Sequence, residues 1–141
     1  MSSERALWLW LKPRLPLAGH YTRIESEISP GFPDIHYTFA GISGTLELKC
    51  SYYPKAKFPF KSIGIRKSQI DWIRDELSAG GIVWLMLQVG SERMLLSGAW
   101  ASHVNNFTLR QLHNYSVLTY YPGVGKNWDR HKLIDYLCKK P

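Results

Sequence analysis

Cysteine is scarce in this chain. Among 141 residues there are two, Cys50 and Cys138, far apart in sequence. They form no C-x-x-C pair and no zinc-ligand spacing, so neither a zinc module nor a disulfide framework is expected. Free buried thiols in a reducing cytosol are the expectation. The five histidines form no H-x-x-x-H cluster. Long apolar runs are also missing. The run Ala6-Leu7-Trp8-Leu9-Trp10-Leu11 is too short to span a bilayer. Pro13 and Pro16 follow it, and no small-residue cleavage site does, which argues against a signal peptide. An intracellular, cytoplasmic protein with no membrane partner is expected. No internal repeat or low-complexity segment occurs. Acidic residues are few, 11 against 18 Lys and Arg, for a net charge of +7. None falls between Lys49 and Asp71. That balance favours a polyanionic partner, nucleic acid before an acidic membrane surface. The amino-terminal segment has only Arg5 and Lys12 as cations before Pro13, too few for an interfacial anchor.

What is present reads as one domain over 1–141, large enough for a hydrophobic core. Its motif-bearing part covers about 20–100, and a helical part about 101–141. A composition 45% hydrophobic and 21% charged argues against disorder. Ser2 or Ser3 can cap a helix over Glu4 to Lys12, stopped by Pro13. Its Leu7, Trp8 and Leu11 recur at helical spacing and point inward. Residues 20–29 are polar and mixed, and Pro30 to Pro33 form a turn. Ile35 to Lys49 reads as strand, Gly-rich turn, strand. Arg66 to Ala79 reads as an amphipathic helix on Ile70, Ile73 and Leu77, ended by Gly80-Gly81. Ile82 to Val89 suits a strand buried on both faces. Gly90-Ser91 turns it into Arg93–Ser97. Helices are expected over Phe107–Tyr115 and over Trp128–Lys139, the latter capped by Asn127, with a loop at Tyr120 to Gly125 between them. The order predicts an α/β fold, a mixed central sheet flanked by helices.

Chemistry concentrates at Pro33-Asp34 and Glu47-Leu48-Lys49. On a hairpin, an Asp near the start of one strand lies beside a Glu on the next. Glu47 and Lys49 are two apart, so they share a face while Leu48 faces a core. Two carboxylates and a lysine on one face suit a divalent-metal site with a poised proton acceptor. The same pattern also fits a solvated face with a cross-strand ion pair. His36 is read as a half-buried strand histidine and not as a ligand. The segment Tyr52 to Lys61 interleaves Tyr, Phe and Lys. Lys neutralises phosphates and rings stack on unpaired bases, so this loop reads as a nucleic-acid contact. Trp8, Trp10, Trp84 and Trp128 are read as core.

The pieces Arg23-Ile24-Glu25, Ser29 to Asp34, Leu46 to Lys49 and Ser68 to Trp72, in this order, resemble the PD-(D/E)xK nuclease superfamily. Within it the chain looks most like stand-alone phage and bacterial virus-type replication-repair nuclease (VRR-NUC) domains, relatives of archaeal-type Holliday junction resolvases. The resemblance spans roughly half the chain and leaves the last 40 or so residues without a motif. It implies a restriction-endonuclease-like core and hydrolysis of DNA phosphodiesters with Mg²⁺ or Mn²⁺. It implies metal ligation by Asp34, Glu47, the Leu48 backbone carbonyl and Glu25, the last directly or through water. Lys49 would orient or deprotonate the attacking water and stabilise developing charge. A lysine beside two carboxylates stays charged, which favours the electrostatic role. Gln69 would support Lys49 or a phosphate. DNA contacts fall to Arg23, Lys55, Lys57, Lys61, Arg66 and Lys67. The expected substrate is branched DNA, four-way junctions first, cut by a homodimer whose two-fold supplies paired incisions. A sequence-specific or end-processing nuclease of the same superfamily, or a non-catalytic DNA-binding module, are the alternatives.

Overall fold

A computed structural model describes residues 4–24, 31–122 and 129–139. Helix α1, Glu4–Leu11, opens the chain and runs into a 3-10 turn at Lys12–Arg14, where Pro13 ends it as expected. Strands β1 (His20–Arg23), β2 (Ile35–Phe39) and β3 (Ile42–Ser51) follow. Helix α2 (Lys67–Ser78) crosses over to β4 (Val83–Val89), and β5 (Glu92–Ser97) returns beside it. Helix α3 (Leu109–Tyr115), strand β6 (Leu118–Tyr120) and helix α4 (Arg130–Leu137) complete the chain.

The six strands form one sheet in the order β1-β2-β3-β4-β5-β6. Only β3 and β4 are parallel; the other neighbours are antiparallel. The expected mixed sheet flanked by helices is what the chain forms. The β2–β3 hairpin turns on Ala40 and Gly41, both at positive φ (52° and 74°). Such a two-residue turn matches the twist of the strands it joins. All seven residues of β4 are buried, as its unbroken apolar run predicts for a central strand covered on both faces.

Alternation along the strands sends one set of side chains to each helical layer. Ile35, Tyr37, Leu46, Leu48, Trp84 and Met86 pack with Leu7, Trp8 and Leu11 of α1 and with Leu133 and Leu137 of α4. On the other face Leu85, Leu87, Met94 and Leu96 pack with Ile73 of α2 and Leu112 of α3. Inside the first layer the Tyr37 hydroxyl donates to the Leu137 carbonyl at 2.5 Å, fastening β2 to the end of α4.

Several expectations need correction. The mixed stretch after His20 contains a strand, because β2 offers an edge on which His20–Arg23 pair. The carboxy-terminal part is not only helical: β6 adds to β5. Helix α4 starts at Arg130 and is capped by Asp129, whose carboxylate accepts from the Lys132 amide at 3.1 Å. The expected cap Asn127 and Trp128 lie outside the described residues. Both cysteines are free and half-buried. Trp8 and Trp84 are buried, and Trp10 is half-buried against the same core. No helix among the described residues is long and apolar enough to cross a membrane.

Candidate metal centre and nucleic-acid interface

The hairpin register places the centre of the site. Ile35 is the last residue of β2 to pair, opposite Leu46. Strand β3 continues to Ser51 along β4. From Glu47 onward, its other edge therefore has no β2 partner. Asp34 sits at that break. Its Oδ2 accepts from the Leu48 amide at 2.8 Å, taking the place of a ladder hydrogen bond. Amide and carbonyl of one extended residue point to the same edge, so the Leu48 carbonyl is directed to the Asp34 side as well.

Alternation puts Glu47 and Lys49 together and sends Leu48 into the α1 layer, as expected. Glu47 is completely buried. Its Oε1 accepts from Gln69 Nε2 at 2.8 Å and lies 3.9 Å from Lys49 Nζ. Its Oε2 is buried and receives no donor from the described residues; the Asp34 carboxylate is close enough to hydrogen-bond with the protonated Glu47 carboxyl. Gln69 is itself held, because its Oε1 accepts from the Arg66 amide at 3.0 Å in the first turn of α2. Gln69 thus supports Glu47, where the sequence suggested Lys49 or a phosphate. Its place at the start of α2 sets this reach.

The third carboxylate is one the sequence reading missed. Glu4, at the start of α1, lies 3.9 Å from Lys49 Nζ through its Oε1. Carboxylate oxygens of Glu4, Asp34 and Glu47 lie within 4.8 Å of one another. The signal for it was present: Glu4 is in line with Leu7, Trp8 and Leu11 on the inward stripe of α1. Glu25 lies outside the described residues.

The electrostatics are those of a site short of positive charge. Burial first, then the Asp34 carboxylate, pushes the Glu47 carboxyl up to about 9, against the opposing pull of Lys49. Burial also raises Glu4, with Lys49 opposing and Asp34 reinforcing. A divalent cation would relieve both effects and engage Oε2 of Glu47. Opposite ligands of one ion are about 4.2 Å apart for Mg²⁺ and about 4.8 Å for Ca²⁺. Three hard oxygen donors at this spacing fit an ion of that class, and the Leu48 carbonyl is directed to the same edge. The donor set holds no sulfur or imidazole.

The residues expected to meet DNA are solvent-facing. Lys55, Lys57, Lys61, Arg66 and Lys67 are exposed, and Arg23 is exposed at the end of β1. Arg23 and Arg66 come near enough to act on the Glu4 carboxylate. Lys57 and Lys61 both approach the Phe58 ring, at 5.3 and 5.9 Å from its centroid. Lys67 is partly neutralised by Asp71 at 3.1 Å. His36 is half-buried on β2 and is not among the grouped ligand atoms.

The loop carrying these cations is fastened at both ends. Ser51 Oγ donates to the Pro59 carbonyl at 2.7 Å and accepts from the Tyr53 amide at 3.2 Å. At the far end Asn105 clamps the buried Ile65. Its Oδ1 accepts from the Ile65 amide and its Nδ2 donates to the Ile65 carbonyl, each at 2.8 Å. Gly64 is required there, since a Cβ would stand 1.8 Å from Asn105 Oδ1. The clamp fixes the residue just before Arg66, and hence the start of α2 that carries Gln69.

No protein-family model matches the chain, and no curated protein matches it. Among solved structures it is similar to Hjc, a Holliday junction resolvase from the archaeal hyperthermophile Archaeoglobus fulgidus. The identity is 15%, the match covers 68% of this chain and 74% of that one, and the TM-score is 0.45. A likeness this distant decides nothing by itself.

Proposed function

We propose that the protein is a metal-dependent endodeoxyribonuclease on a restriction-endonuclease-like core. One observation carries the reading: Glu4, Asp34, Glu47, Lys49 and Gln69 come together at the edge of β3, around the fully buried Glu47 carboxyl. A purely structural ion pair would not gather three carboxylates, one of them fully buried, around a single lysine.

Asp34, Glu47, Glu4 and the Leu48 carbonyl would hold the ion, Mg²⁺ or Mn²⁺. Bound there, it supplies charge neutralisation at the phosphate and a more acidic water. Gln69 orients Glu47. Lys49, tethered between Glu4 and Glu47, presents its ammonium where negative charge builds during displacement at phosphorus. The exposed cations of the 52–67 loop, with Arg23, hold the nucleic-acid backbone and read no bases. Branched DNA, four-way junctions first, is the proposed substrate. It is supported by the sequence resemblance at Asp34 and Glu47-Leu48-Lys49. A homodimer would place two such centres for paired incisions.

The test is cleavage of a synthetic four-way junction, a splayed duplex and a linear duplex by purified protein with Mn²⁺. Symmetric junction cuts are expected, lost in Asp34→Ala and Lys49→Ala while junction binding persists. Cleavage of linear ends instead would point to an end-processing nuclease. Equal background cleavage by wild type and both variants would overturn the assignment.

A further inference from the structure

Next to the proposed metal centre is a cavity of about 330 Å³. Glu4 and Lys49 form one wall, and Cys50, Tyr52, Tyr53 and Ile63 form the rest. Its volume is at the lower end of what small-molecule sites need. The lining is unusual in how much apolar surface it leaves open. Tyr52 is 46% exposed, Tyr53 54% and Ile63 37%. Three large apolar side chains left open around one cavity mark a place where something docks.

The platform is also rigid. Ser51 Oγ fixes the Tyr53 amide, and the Ala56 amide closes a turn on the Tyr53 carbonyl at 3.1 Å. Pro54 packs close to Gly90 of the neighbouring hairpin turn. A loop backbone fixed at Tyr53 loses little freedom when a flat ring docks on it. Two features choose the occupant. The cavity shares Lys49 with the site that would act on a phosphodiester, so whatever fills it is joined to that phosphate. The flanking loop is cationic, through Lys55, Lys57 and Lys61.

We propose that this cavity is a nucleobase subsite, which takes one base, turned out of the helical stack, of the nucleotide next to the scissile phosphate. The inference rests on the nuclease reading and deepens it. Tyr52 and Tyr53 supply the stacking faces, Ile63 the apolar edge, and Lys49 the link to the phosphate. Every base has a π-face, so the subsite is tolerant of sequence. It is selective for DNA whose bases unstack readily, as at a branch point or nick. The aromatic loop would thereby choose among DNA shapes, while the carboxylates perform the cut.

The experiment first maps the cut position in wild type with Mn²⁺, then replaces each flanking nucleotide in turn with an abasic analogue. At one of the two positions wild-type kcat/KM is expected to fall about tenfold to hundredfold. The double variant Tyr52→Ala/Tyr53→Ala is expected to show a similar fall on intact DNA. It should show no further loss on the abasic substrate, because the two changes remove one interaction. Tyr52→Phe and Tyr53→Phe keep the stacking ring and should keep the wild-type sensitivity to the abasic substitution. Both rings are surface groups, so unchanged melting of the alanine variant serves as the folding control, and the abasic arm needs no variant at all. Equal cutting of abasic and intact DNA, or losses that simply multiply, would overturn the inference. The nuclease reading would fail differently, with no DNA of any shape cut by wild type.

Discussion

Replacing Glu47 by glutamine is expected to stabilise the metal-free protein at alkaline pH. Glu47 is fully buried, and its carboxyl is pushed up to about 9 from an ordinary 4.5, chiefly by burial and then by Asp34. Between those two values the native state holds a proton that the unfolded chain has released. Stability therefore falls as pH rises through this window and stops falling above about 9. At about 1.4 kcal/mol per unit, holding that proton at pH 8 costs roughly 5 kcal/mol at most. Glutamine keeps the shape and offers its carbonyl to Gln69 Nε2, but carries no charge. In a chelator at pH 8, Glu47→Gln should melt about 5 °C or more above wild type, the change that ~1–2 kcal/mol produces in a domain of this size. Near pH 4.5 the two should melt together. Adding Mn²⁺ should reverse the order. Wild type gains about 2.7 kcal/mol at a hundredfold excess over Kd, more readily at higher pH, and the variant gains little. Thermal melts at three pH values, with chelator and with Mn²⁺, are sufficient. A variant melting at or below wild type at pH 8 in chelator, or an equal response to Mn²⁺, would refute this account of the charge cluster.

Three further outcomes follow from single contacts. Glu4→Ala should leave the metal-free melting temperature almost unchanged, because the side chain is half exposed, yet weaken Mn²⁺ binding about tenfold or more in a calorimetric titration. Asn105→Ala strands both backbone groups of buried Ile65 and should cost about 2 kcal/mol in denaturant unfolding. It should also slow cleavage several-fold, since the start of α2 and Gln69 loosen together. Tyr37→Phe removes the buried hydroxyl that donates to Leu137 and should cost about 1–2 kcal/mol with cleavage unaffected.

Much of the scaffold was legible in local patterns. Alternation gave β2 and β3, the apolar run gave β4, and Gly80-Gly81 and Pro13 marked where α2 and α1 stop. These signals depend on neighbours in the chain, so they survive in a string of letters. Strands β1 and β6 did not show. Each is short and without an inward stripe, and each exists because a neighbouring strand offers an edge. The same division runs through the site. Asp34, Glu47 and Lys49 meet through hairpin register, which turn and spacing encode. Glu4 joins them only after α1 has docked on the sheet, a contact between layers that spacing does not specify. Gln69 was recognised by motif, but its hold on Glu47 depends on the angle at which α2 leaves the Asn105 clamp.

The edge of β3 beyond Leu46, without a strand partner among the described residues, has another consequence, for how the chain behaves in company. A strand edge with free amides and carbonyls is a template on which a second polypeptide can add. Here the template is occupied by acid: Asp34 takes the Leu48 amide, and Glu4 and Glu47 crowd the same stretch. A peptide laid along it would have to bury their charge. The carboxylates are thus gatekeepers against self-association as well as prospective ligands. Alanine variants made to silence the site unblock that edge, so a loss of cutting in Asp34→Ala carries meaning only for protein shown to remain monodisperse.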